Sequence, residues 1–129
     1  MSGFRRGNDW RDGEHSNLHL RLVRHCQKEY LAGRLIEIPT SYGNNILLKN
    51  EDGEEYVTRP DLIFKQSAPT KPIYLDGPHH RGAVHYRRDK VIDGQLHRQW
   101  GFDSIRIPFD VDSKMEMLRV YREILEGLK

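Results

Sequence analysis

The chain has 129 residues, 36% hydrophobic and 31% charged, with 21 Lys and Arg against 19 Asp and Glu for a net charge of +2. That length suits one compact domain and is short for two, and no stretch approaches the roughly 20 apolar residues of a membrane span. A single cysteine, Cys26, excludes an internal disulfide and a cysteine-rich zinc site; the charged opening residues lack the apolar core of a secretory signal, so a cytoplasmic location is expected.

In chain order, residues 1–13 read as a flexible arm and 14–129 as one domain. Leu18, Leu22, Val23, Cys26, Tyr30 and Leu31 recur at helical spacing and predict a helix over about 16–32, capped by Ser16 and stopped by Gly33. Leu35-Ile36-Glu37-Ile38-Pro39 is expected as a short strand closed by proline. Ile46-Leu47-Leu48 and residues 55–58 flank Glu51-Asp52-Gly53, a hairpin signal because Asp-Gly supplies the positive φ of a tight turn. Leu62-Ile63-Phe64 and Ile73-Tyr74-Leu75 are two more strands, joined through a loop containing Pro69 and Pro72. Ala83 to Trp100 predicts a helix ended by Gly101, and residues 104–109 alternate as a strand. Asp112 or Ser113 caps a final helix carrying Val120, Tyr121, Ile124 and Leu125. The expected order is αβββββαβα, an α/β (α+β) domain with a mixed central sheet flanked by helices.

Charge is unevenly spread. Arg81, Arg87, Arg88, Lys90 and Arg98 form one basic segment; Arg21, Arg24, Lys28 and Arg34 form another, while the acids gather at Glu51, Asp52, Glu54 and Glu55. A polarised surface of this kind suits a polyanion binder.

Asp61 precedes one apolar strand and Asp76 ends the next, so a hairpin of the two brings both carboxylates to one end of the sheet. Close carboxylates repel unless a cation intervenes, and a hard ion such as Mg²⁺ binds one or two carboxylates together with waters and phosphate oxygens. Turn-forming aspartates are the plainer explanation. His79 and His80 follow Asp76 by three and four residues, and imidazole suits proton transfer near neutral pH. Zinc on His80 and His85 is a rival without a cysteine partner. Asp89 and Asp93, four apart on the predicted helix, share a face; compensation by Arg88, Lys90 and His97 is the plain explanation, and the sharper one is that this face looks back at the mouth where Asp76 and His80 lie.

The runs Arg59-Pro60-Asp61-Leu62-Ile63-Phe64 and Ile73-Tyr74-Leu75-Asp76-Gly77-Pro78-His79-His80 resemble the core of the very-short-patch-repair (Vsr-like) endonucleases, within the restriction-endonuclease-like PD-(D/E)xK superfamily. The likeness continues through Asp89-x-x-x-Asp93-x-x-Leu96, Gly101-Phe102 and Ile105-Arg106-Ile107-Pro108, covering about residues 57–110. It implies a restriction-endonuclease-like core and Mg²⁺-dependent hydrolysis of DNA phosphodiester bonds, in nicking, repair or recombination, with Mn²⁺ able to substitute. Residue by residue it implies Asp61 and Asp76 as metal-binding aspartates, with the Leu75 carbonyl beside them. His80 falls at the active-site histidine with His79 next to it, Asp89 at the helix acid, and Glu14 (Glu29 behind it) at the first-helix glutamate. Arg59, Arg81, Arg87, Arg88 and Lys90 are the expected phosphate contacts, and Lys71 is a candidate for the superfamily lysine. Tyr74 stands where many relatives carry an acid.

The expected partner is DNA, double-stranded, with RNA left open; a second copy of the chain is one route to cutting both strands. The competing reading is a catalytically inactive nucleic-acid-binding module on a nuclease-like fold. The paired histidines also suggest the ββα-metal nucleases, but those need a downstream asparagine and none follows Asn50.

Overall fold

The computed structural model describes residues 17–78 and 82–129. The expected arm at 1–13, the Ser16 cap, Glu14, His79, His80 and Arg81 lie outside them. The described elements are α1 (Asn17–Leu31), β1 (Ile46–Lys49), β2 (Glu55–Thr58), β3 (Leu62–Phe64), β4 (Lys71–Asp76), α2 (Ala83–Trp100), β5 (Ile105–Pro108) and α3 (Lys114–Leu128). The chain is mixed α and β.

Two expectations are corrected. Residues 35–39 form no strand, so four strands precede α2 instead of five, and the order is αββββαβα. Leu35 and Glu37 turn inward at 7% and 8% exposure, but only Thr40 reaches a strand, in an isolated bridge to Ile63. The Glu37 carboxylate instead accepts the N–H groups of Lys65 (3.2 Å) and Gln66 (2.8 Å), binding the exit of β3. Alternation of buried and exposed residues here reflects a packed loop. The strands also divide into two sheets, not one: an antiparallel β1–β2 hairpin and a three-stranded sheet in the order β3-β4-β5.

Within the three-stranded sheet β3 and β4 are antiparallel, and β4 and β5 run parallel across the α2 crossover, the kind of connection parallel neighbours require. Both faces are covered. Leu62, Phe64, Ile73 and Ile107 pack with Leu18, Leu22 and Cys26 of α1 and Val120 and Ile124 of α3. Ile63 and Tyr74 face the other way, toward Leu96 of α2 and Ile46 and Leu48 of the hairpin. Covering on two sides explains why β3 is a continuous apolar run instead of an alternating one.

Local signals hold at the ends of the elements. Gly53 (φ 89°) turns the hairpin and Gly101 (φ 73°) closes α2 in the left-handed conformation, where a side chain would be strained. Side-chain bonds dock α2 on the hairpin edge: Trp100 Nε1 donates to the Leu47 carbonyl at 2.8 Å, and the Gln99 amide exchanges two bonds with the Lys49 backbone at 3.0 Å each.

Of the two caps proposed for α3, Ser113 is the one used: its Oγ accepts the Glu116 N–H at 3.1 Å. Ser113→Ala leaves that donor without its partner and is expected to lower stability by about 1 kcal/mol, measured by urea unfolding; an unchanged midpoint would remove the cap from the account.

Candidate functional site

Pairing of β3 with β4 places Asp61 opposite the end of β4. The Asp61 N–H donates to the Ile73 carbonyl at 2.9 Å, extending the ladder one residue before β3, and Asp61 Oδ2 accepts the Leu75 N–H at 2.8 Å. Asp76 is the last residue of β4, where β5 holds it by the Phe109 N–H to Asp76 carbonyl bond at 3.0 Å. The two aspartates that the sequence sets fifteen positions apart therefore lie at the same end of the sheet.

Burial raises the Asp61 carboxyl from its ordinary 3.8 to about 6; the Asp76 charge pushes the same way, while the Leu75 N–H and the Arg106 guanidinium pull it back. A carboxylate held at this cost to the fold marks a candidate site. A divalent cation between Asp61 and Asp76 would oppose both the burial and the repulsion. Each aspartate also borders its own hollow: Asp61 one of about 540 Å³ beside Arg59, and Asp76 one of about 730 Å³ beneath α2.

Asp89 and Asp93 line that larger cavity with Asp76, as their shared helix face suggests. Their counter-ion, however, is Arg106, not Arg88, Lys90 or His97. Arg106 Nε lies 3.0 and 3.1 Å from the two Asp93 oxygens, and Nη1 lies 3.3 Å from Asp89 Oδ1. Lys90 instead sits over the Tyr86 ring at 5.3 Å, His97 Nδ1 lies 3.3 Å from Asp103, and Arg88 is exposed. The parallel register sets Arg106 beside Tyr74, and the guanidinium carbon lies 4.0 Å from the Tyr74 ring centroid, a cation–π contact. The Tyr74 hydroxyl shares a 2.7 Å hydrogen bond with Thr58 Oγ1. Tyr74 thus acts as a platform for Arg106.

Other candidates separate. Lys71 opens β4 at the end opposite Asp76, five strand steps or roughly 16 Å away, and pairs with Asp103 at 3.8 Å; it is no part of this site. Glu29 is held by Arg34 at 2.6 Å on the C-terminal part of α1. Arg59, Arg87 and Lys90 are exposed. Cys26 is fully buried, with its thiol pushed up to about 12 chiefly by burial, so it is no nucleophile. Among the described residues no group of three or more His, Cys, Asp or Glu is arranged to hold a metal. Sequence reading missed the Arg106 role because its partners come from a different element and a parallel register that no local pattern encodes.

No protein-family model, curated protein or solved structure matches the chain.

Two measurements test the electrostatics. The folded chain retains the Asp61 proton between about pH 4 and 6 while the unfolded chain has released it, so stability falls as pH rises through that window. Asp61→Asn is expected to match the parent near pH 4 and exceed it by about 1–3 kcal/mol at pH 8, read from urea unfolding at each pH; equal curves at both pH values would contradict the raised value. Arg106→Met leaves Asp89 and Asp93 facing each other and is expected to cost about 2–3 kcal/mol, below the fully buried case because the three side chains retain 17–30% exposure. Adding Asp93→Asn should recover part of that loss; an additive second loss would argue against the pairing.

Proposed function

We propose that the chain is a metal-dependent endonuclease that hydrolyses DNA phosphodiester bonds, on a restriction-endonuclease-like core like that of the Vsr-type enzymes. The observation that carries this reading is the buried Asp61 carboxyl, fixed by the Leu75 N–H and raised chiefly by its burial, with a smaller push from its neighbour Asp76. Asp61 and Asp76 would hold Mg²⁺. In a strand the carbonyl and N–H of one residue face the same edge, so the Leu75 carbonyl faces the Asp61 side and can serve as a third oxygen. Bound there, the ion supplies charge neutralisation at the scissile phosphate and lowers the pKa of a coordinated water.

The chain's own residues do the rest. Asp61 and Asp76, ionised together, create the negative field that selects a hard dication. Arg106 pairs with both Asp89 and Asp93, one positive charge against two negative ones, which weakens their competition for the ion without abolishing it. His80, with His79 beside it, is the proposed proton acceptor for the attacking water, and Arg59, Arg81, Arg87, Arg88 and Lys90 are proposed to contact flanking phosphates without reading sequence.

The same Arg106 pairing favours a second reading, a binding module without catalysis, because it removes Asp89 from the set of acids available to a metal. Plasmid and labelled-oligonucleotide cleavage in Mg²⁺, Mn²⁺ or EDTA separates the two. The nuclease reading expects cleavage in either metal, none in EDTA, and loss to background in Asp61→Ala with DNA affinity kept within about threefold. Binding without cleavage in any metal favours the module; cleavage by Asp61→Ala at the parent rate overturns the metal role of Asp61.

A further inference from the structure

The larger cavity, beside Asp76, has a lining unfavourable to a polyanion: among the described residues it is bordered by three cations (Lys90, Arg106, Arg119) and four carboxylates (Asp76, Asp89, Asp93, Asp110). Two of those cations are already committed, Arg106 as described and Arg119 to Glu116 at 2.8 Å and the Pro108 carbonyl at 2.7 Å. The balance differs on the Asp61 side. There the 41–45 loop walls two adjoining hollows. One, of about 540 Å³, is bordered by Ser41, Tyr42, Asn45, Arg59 and Asp61; the other, of about 560 Å³, shares Tyr42 through Asn45 and continues to Lys65 and Trp100. Among the described residues lining the two hollows, Arg59 and Asp61 border the first and Lys65 the second, and Asp61 is the one carboxylate.

This loop is held in place from inside. Asn44 is 8% exposed, and its Nδ2 donates to the Thr40 carbonyl at 2.8 Å while lying 3.3 and 3.4 Å from the carbonyls of Pro60 and Asp61. Gly43, at φ 66°, makes the turn. Arg59 donates its Nε to Asn45 Oδ1 at 3.0 Å, which orients the guanidinium and, among the described residues, uses one of its five N–H donors. At the rim Tyr42 is 69% exposed and Trp100 is 49% exposed, the Trp100 ring plane set by the bond to the Leu47 carbonyl and by Phe102 at 5.6 Å. An oriented cation and an exposed tyrosine bordering one hollow with a buried carboxylate, and a half-exposed tryptophan on the adjoining hollow, match the composition of a single-strand nucleic-acid track: cations follow the phosphates and rings stack on bases. In a duplex the faces of each base are covered by its neighbours, so rings on a surface loop stack only on bases that have left the helix.

We infer that the trough formed by the 41–45 loop, Arg59, Lys65 and Trp100 binds an unpaired stretch of nucleic acid next to the Asp61 carboxylate, with Arg59 on a phosphate and Tyr42 stacked on a base. The inference takes its ligand class from the nuclease reading and narrows it to substrates with a single-stranded segment at the cut, a DNA structure that the expectation of double-stranded DNA left open.

The test is fluorescence anisotropy of the full chain in EDTA, with a labelled ten-residue oligothymidylate and a labelled hairpin duplex of equal nucleotide number as probes. The expected results are at least tenfold tighter binding of the single strand, about tenfold weaker binding by Tyr42→Ala, and restoration to within twofold by Tyr42→Phe, which keeps the ring. Arg59→Ala should lower the slope of log affinity against log salt by about 0.7. Circular dichroism confirms that each variant is folded; Tyr42 and Arg59 are exposed, so folding is expected to persist. Equal or tighter binding of the duplex, or Tyr42→Ala at parent affinity, overturns the inference. Because no metal is present, these outcomes are independent of cleavage: a chain that cuts DNA but ignores Tyr42→Ala loses only the trough, and one that binds oligothymidylate through Tyr42 but never cuts loses only the nuclease reading.

Discussion

The site depends on the register of β3 against β4. Ile73 sits opposite Leu62, and from that one pairing it follows that the Asp61 N–H meets the Ile73 carbonyl and the Asp61 carboxylate meets the Leu75 N–H. A slip of one residue would turn Leu62 and Phe64 out of the α1/α3 core and carry Asp61 away from Asp76. The apolar packing that fixes the register therefore also fixes the two carboxylates. Leu62, Phe64 and Ile73 are at most 1% exposed, so the strands have little freedom to choose another pairing. Raising the Asp61 carboxyl costs the fold stability at neutral pH, and the buried core is what sustains that cost.

A second constraint acts on the α2 face. Tyr74 and Arg106 are neighbours across the parallel β4–β5 pair, and Asp89 and Asp93 descend on Arg106 from the crossover helix. One guanidinium serves two carboxylates and rests on an aromatic ring, so the network binds its own members together and keeps one net negative charge. It fastens α2 over the sheet, and its acids border a different hollow from Asp61. The division also gives the two sides of the sheet end different characters. Carboxylates dominate below α2, whereas Arg59, Lys65 and exposed rings dominate around the 41–45 loop.

Elements with strong local punctuation were legible in the sequence. The Asp-Gly hairpin, the Gly101 stop of α2 and the Ser113 start of α3 each rest on a backbone conformation or a cap that a few adjacent residues decide. The exception is instructive: Leu35 to Pro39 has strand-like alternation but no neighbour to pair with, since Glu37 spends its carboxylate on the backbone at Lys65 and Gln66. Alternation reports which residues face inward, and pairing has to be supplied by another strand.

By itself the sequence determined the two aspartates at strand ends, the shared helix face of Asp89 and Asp93, and most helix and hairpin limits, because each of these follows from interactions within a few residues. Only the tertiary structure decided that Arg106 serves the helix acids, that Lys71 lies at the far end of its strand from Asp76, and that Tyr42, Arg59 and Trp100 border adjoining hollows. Those relations join residues tens of positions apart, and they are set by which strands lie side by side and in what register, a choice made by the burial of the whole apolar core and not by any short stretch of chain.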